Sequence, residues 1–296
     1  MQEAVQDVAS AASLPAEQPP ETVAAVEVAP EPPRPVIPAS VIARILAPPP
    51  PRPAPPVRPK DKYAALKFDI DAERRELAQR RSYGERVDEA IHAAMNKRLT
   101  EIIETWKGTR WSYSGTTQVP RQGKIACGYF VSTVLEHAGF DVDRVELARS
   151  ASEQIVRTVV PDPEIERLSR VSRDYVADRV LAQGDGVYIV GLDTHVGFLI
   201  NPPGPGKDVK FCHSTRRYRR AGVICEDARS SPSLKSRYTV LGKLGAPMLV
   251  QAWLEGDELP TARKNEPQVV MALAADPLPN LELMPPVAPA VLASVW

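Results

Sequence analysis

The stretch "APPPPRPAPPVRPK", Ala47 to Lys60, limits the fold more than any other part of the chain. Each proline fixes φ and removes a backbone donor, so such a run enters neither a helix interior nor a central strand. The residues before it alternate Ala, Val and Glu with further prolines. That composition cannot bury enough apolar surface to offset chain entropy. Residues 1–60 are therefore expected to form a disordered or polyproline-II tail, either a spacer or a handle for a protein partner. A packed domain has to come from the rest of the 296 residues, room for one sizeable domain or two small ones.

From Asp61 the pattern turns helical. Val87, Ile91, Met95, Leu99, Ile102 and Trp106 recur at helical spacing and give one apolar face, which Gly108 ends. His92, on or beside that face, reads as a core or boundary residue. Glu164 to Val180 is a charged, partly helical excursion. Short apolar strands follow: "GVYIVG", "HVGFLI", "KFCHS" and "RYTVLGKL". The tight "LDT" between the first two marks an antiparallel hairpin, and the breaker-rich "NPPGPGKD" leads to the third. Helices first and an antiparallel meander after them is an α+β order. Beyond Gly245 the chain returns to Ala, Pro and Leu. The predicted organisation is a tail (1–60), a helical N-terminal extension (61–107), an α+β domain (108–245) and a second tail (246–296) with one helix around "PMLVQAWLEG".

Lys plus Arg equals Asp plus Glu, at 37 each, so no global field favours nucleic acid or an anionic membrane. No apolar run approaches the roughly 18 to 20 residues that span a bilayer. The start, "MQEAVQDVASAASLPAEQPP", lacks a basic end and a continuous apolar core, so it is not a signal peptide as written. It suits a cytosolic start or an exported chain whose leader has been replaced, which leaves the location open. Cys212 and Cys225 can pair in an oxidising compartment and leave Cys127 as the odd thiol; three reduced thiols are the alternative.

The chemistry concentrates in "GKIACGYFVSTVLEHAGF", Gly123 to Phe140. From Cys127 the positions Phe130, Val131, Val134, Leu135 and Ala138 continue with helical period, which puts the thiol at the tip of an amphipathic helix. Unpaired N–H groups there favour a thiolate and can receive an oxyanion, so a depressed thiol pKa is expected. A small buried filler residue is the competing reading. A cysteine nucleophile needs a base, and His195 and His213 fall on neighbouring strand segments. Adjacent strands can set one imidazole beside the thiol and the other against the first ring's second nitrogen.

These segments, in this order, resemble the NlpC-type cysteine peptidases, papain-like enzymes that cleave peptide bonds in bacterial cell-wall stems. "GTRWSYSGTT" (Gly108–Thr117) and "ACGYFV" (Ala126–Val131) are similar to that family's aromatic-glycine stretch and nucleophile helix. "ARSASEQ", "LAQGDGVYIV", "HVGFLI" and "FCHS" are similar to its later motifs, over roughly residues 100–245. The resemblance implies a papain-like domain with Cys127 as nucleophile, His195 as base and His213 as the orienting third member. It implies a peptide or peptidoglycan fragment as substrate, no cofactor and no metal, and an extracytoplasmic location if the substrate is the cell wall. Trp111, Tyr113 and Gly128 match positions near the oxyanion or substrate, and Tyr113 is favoured because its hydroxyl can donate. The chain departs from the family at Ala126, where the family has an aspartate, and in exchanging the order of its Tyr and Trp. The cluster Arg216–Arg220, four arginines around Tyr218, reads either as a carboxylate-recognition patch or as a solvated hairpin loop. An acyl- or amidotransferase with the same triad, and a non-catalytic domain with partner-binding tails, are the rival readings.

Overall fold

A computed structural model of the chain describes residues 56–217 and 222–267. Residues 1–55 of the expected first tail and 268–296 of the second lie outside the described residues. The architecture is mixed α and β, built on one large, mainly antiparallel sheet.

Helix α1 (Lys62–Ser82) starts where Asp61 accepts the Ala64 N–H at 2.8 Å, and Arg80 and Arg81 occupy its last turn. Capping and cations at the C-terminal end both suit the helix dipole. Helix α2 (Asp88–Trp106) follows after a short turn and buries the stripe of Ile91, Met95, Leu99, Ile102 and Trp106. The strands are β1 (Arg110–Trp111), β2 (Lys124–Ile125), β3 (Asp141–Val142), β4 (Glu166–Ser169), β5 (Gly186–Leu192), β6 (Val196–Asn201), β7 (Lys210–Thr215), β8 (Gly222–Asp227), β9 (Tyr238–Lys243) and β10 (Glu258–Leu259). Interleaved with them are α3 (Cys127–His137), α4 (Arg144–Arg149), α5 (Ser152–Val159), α6 (Arg173–Ala182) and α7 (Pro247–Glu255).

The main sheet runs β2-β1-β8-β7-β6-β5-β9-β4, and β3 pairs with β10 separately. The meander is confined to β5 through β8. β9 returns to the free side of β5 instead of continuing past β8, because β5 pairs with β6 on one edge and β9 on the other. All seven residues of β5 are buried, since both of its faces are covered. Val187 and Ile189 face the core shared with α2, α3, α5 and α7, and Tyr188 and Val190 face the smaller core under α6. That explains why "GVYIVGL" is apolar throughout rather than alternating.

Two sequence boundaries move. Ile70 and Leu77 of α1 and the α2 stripe belong to one core with Val131, Leu135 and the sheet, so residues 61–107 are part of the domain and not an extension. The expected second tail opens with α7, whose Leu249 and Trp253 are fully buried; Trp253 Nε1 donates to the Ala138 carbonyl at 2.8 Å. An apolar face of that size belongs in a core, whatever the Ala and Pro content around it. Phe130, Val131, Val134 and Leu135 of α3 are all fully buried. Truncating Leu135 to Ala should cost about 2–5 kcal/mol.

Candidate active site

Cys127 is the first residue of α3, and the backbone turns into the helix at Ala126, which is extended and offers no side-chain cap. The approach to it is fixed by Ala126 N–H donating to the Gly115 carbonyl at 2.9 Å. Gly128 follows because nothing larger fits: a Cβ there would lie 2.2 Å from the Ala148 carbonyl oxygen at the end of α4. The histidines arrive from the sheet. The turn before His195 is tied down by Leu192 N–H to the His195 carbonyl (2.8 Å), Ser152 Oγ to the Leu192 carbonyl (2.7 Å) and Arg237 N–H to Asp193 Oδ2 (2.8 Å). Beside His213, Ser214 Oγ donates to the Ile125 carbonyl at 2.8 Å, which fastens β7 to the strand just before Cys127. Gly197 lets β7 come close, since a Cβ there would sit 2.9 Å from His213 Cβ.

Cys127 and His195 line one open cleft of roughly 1430 Å³, together with Trp111, Tyr113, Gly128, Tyr129, Arg149 and residues 214–217. His213 is fully buried and does not line it. It stands behind His195: His195 Nε2 to His213 Nδ1 is 2.7 Å, and His213 Nε2 to Glu226 Oε1 is 3.1 Å. Ser231 Oγ also donates to Glu226 Oε1. The Phe211 ring stacks on His213 at 4.2 Å between centroids and fixes its plane.

The proton arrangement follows from the carboxylate end. Glu226 accepts, so His213 carries its proton on Nε2 and presents a bare Nδ1. His195 then donates from Nε2, and its own Nδ1 is left bare on the cleft side. That is the tautomer a general base requires. Burial pushes both imidazoles well below their ordinary range, with His213 and then Arg217 adding to the effect at His195, and Arg217 adding to it at His213. Both rings are neutral at neutral pH.

The thiol departs from expectation. Burial raises the Cys127 pKa, against the pull of N–H groups of Gly128, Val196 and Cys127 itself. A helix terminus contributes about 0.3–1 kcal/mol, less than one pKa unit, whereas burial can move a group by several. Desolvation wins. Among the described residues no hydrogen bond joins the sulfur to His195.

The other expectations divide. Trp111 and Gly128 border the cleft, and the Gly128 N–H works against the rise of the thiol pKa. Tyr113 also borders it but is 88% exposed and forms no hydrogen bond among the described residues, so it lacks the packing a preorganised oxyanion donor needs. Of the arginine cluster, Arg216 and Arg217 line the cleft; Arg219 and Arg220 lie outside the described residues. Cys212 and Cys225 pair across β7 and β8 as a disulfide, and Cys127 is the free cysteine. Among the described residues the one group arranged to hold a metal is Glu104 with Cys212 and Cys225, and those two sulfurs are bonded to each other. A second cavity of about 410 Å³, between α5 and β10, is lined by no histidine or cysteine.

Glu226 was not anticipated from the sequence. Its signal was the cysteine pair: with Cys212 opposite Cys225, alternation puts Glu226 on the His213 face, one diagonal step away. No family model matches the chain, and no curated protein or solved structure matches it. No helix among the described residues is long and apolar enough to cross a membrane.

Proposed function

We propose that this chain is a papain-like cysteine hydrolase of amide bonds. The observation that carries the reading is the ordered relay Glu226–His213–His195, which ends at a bare imidazole nitrogen in the cleft that holds the only free cysteine of the described residues. In the first step Cys127 Sγ attacks the carbonyl carbon while His195 Nδ1 takes the thiol proton. The oxyanion forms against the N–H groups at the start of α3. As the C–N bond breaks, the imidazolium returns its proton to the leaving amine, and water then cleaves the thioester with His195 again as base. Because thiol and imidazole both start neutral, the proton moves during attack rather than before it. His213 and Glu226 hold the tautomer and steady the imidazolium.

The substrate class rests on the motif resemblance to NlpC-type peptidases, which favours a peptide of the bacterial cell wall. Its test is release of new amino groups from purified peptidoglycan fragments. Wild-type protein should release them, and Cys127→Ser should lower the rate by about three orders of magnitude or more. Equal release by both proteins would end the hydrolase reading. One observation favours a non-catalytic domain instead, the raised thiol pKa. That reading expects no turnover and slow alkylation of Cys127 at every pH below the ordinary thiol range.

A further inference from the structure

Among the described residues four cations line the Cys127 cleft, and they come from three separate segments. Arg149 ends α4, Arg216 and Arg217 follow β7, and Lys235 follows the turn beyond β8. Among the described residues the cleft wall holds one carboxylate, Asp193, and that group accepts the Arg237 N–H at 2.8 Å. The chain as a whole balances 37 cations against 37 anions, so the excess is local to this opening. A solvated basic loop explains a run such as Arg216–Arg217, but not the arrival of Arg149 and Lys235 from elsewhere. Among the described residues none of the four side chains is in an ion pair.

We propose that the cleft takes a substrate with a carboxylate close to the bond attacked by Cys127, bound through Arg216 and Arg217 with Arg149 and Lys235 adding to the attraction. The inference rests on the thiol-hydrolase reading and names its substrate class. A guanidinium fork matches a carboxylate with two parallel, charge-assisted hydrogen bonds, which gives orientation as well as affinity. A low-dielectric cleft of one sign also concentrates ligands of the other. Arg217 has a further consequence, because its charge bears on both imidazoles. A substrate carboxylate paired with Arg217 cancels a charge that opposes formation of the His195 imidazolium. Acidic substrates therefore meet a stronger base than neutral ones.

The test uses two alkylating reagents of similar size, anionic iodoacetate and neutral iodoacetamide, on the disulfide-intact protein. Their rate ratio at Cys127 is divided by the ratio for the same protein unfolded in urea, which cancels intrinsic reactivity and thiol pKa. At low ionic strength the folded protein should favour iodoacetate by about tenfold or more, and the preference should approach unity near 1 M salt. Arg216→Gln with Arg217→Gln should remove most of it. N-acetylglutamate should slow iodoacetamide, and N-acetylglutamine should not. A normalised ratio near one in the wild type, a preference that survives the double substitution, or better protection by inorganic phosphate than by N-acetylglutamate would overturn the proposal. Alkylation needs no turnover, so absence of hydrolysis would remove the catalytic reading and leave this result standing or falling by itself.

Discussion

Helix α3 ends in a histidine network at each terminus, and the two have opposite surroundings. Behind its N-terminus, His195 and His213 are linked in series to Glu226, and one ring nitrogen is left bare at an open cleft beside a thiol. At its C-terminus His137 Nδ1 accepts from Tyr63 Oη at 2.8 Å, and Tyr63 Oη accepts from Trp106 Nε1 at 2.7 Å. His137 also stacks on Trp106 and is 7% exposed. Burial lowers the His137 pKa to about 4, with Lys67 and Arg144 adding to the effect. Perturbed titration alone does not distinguish the two ends. The difference lies in a free acceptor nitrogen facing solvent space and a nucleophile in the same space, both absent at the sealed end. There the network clamps α1 to α2 and α3. At the other it fixes the His195 ring at the edge of the cleft that Cys127 also lines.

The comparison breaks most readily in acid. His137, His195 and His213 are all depressed below an unfolded value near 6.5, so the unfolded chain binds more protons as pH falls. Stability is fully present above about pH 6.5 and falls below it, by about 1.4 kcal/mol per unit for each histidine, with the His137 share spent near pH 4. Denaturant melts from pH 8 to 4 measure this, and His137→Gln should flatten the slope without abolishing it. A flat profile would mean that the rings are solvated at both ends. Reduction of the Cys212–Cys225 disulfide, whose cysteines are 13 residues apart, should cost about 3 kcal/mol. It should also lower Cys127-dependent turnover, because each cysteine directly precedes a relay member, His213 or Glu226. Unchanged turnover on reduction would show that the sheet holds the relay unaided. The smallest effect belongs to the sealed end: Tyr63→Phe should cost about 1–2 kcal/mol and leave the alkylation rate of Cys127 where it was. A change in that rate would couple the two ends.

Much of the fold was legible because periodicity is a local property. The α2 stripe, the α3 face and strands β5, β6, β7 and β9 each announce themselves within ten or so residues. β8 did not, since "GVICED" turns polar halfway and has half-buried residues from Ile224 onward. The helix of α7 was legible, but its Ala- and Pro-rich flanks put it in a tail and hid that Met248, Leu249, Ala252 and Trp253 form a face buried in the core. At the site, Cys127, His195 and His213 could be named from their segments. Glu226 needed the strand register, and the thiol pKa needed burial, and neither is written in one stretch of sequence.

The central claim is that the open end of α3 carries the chemistry, and acylation by p-nitrophenyl acetate tests it directly. Mixing should give a burst of p-nitrophenolate, with mass spectrometry placing the acetyl group on Cys127. His195→Ala should slow the burst by about 100-fold or more, while His137→Gln leaves it unchanged. Acylation of His195→Ala at the wild-type rate, or an acetyl group anywhere but Cys127, would contradict the assignment.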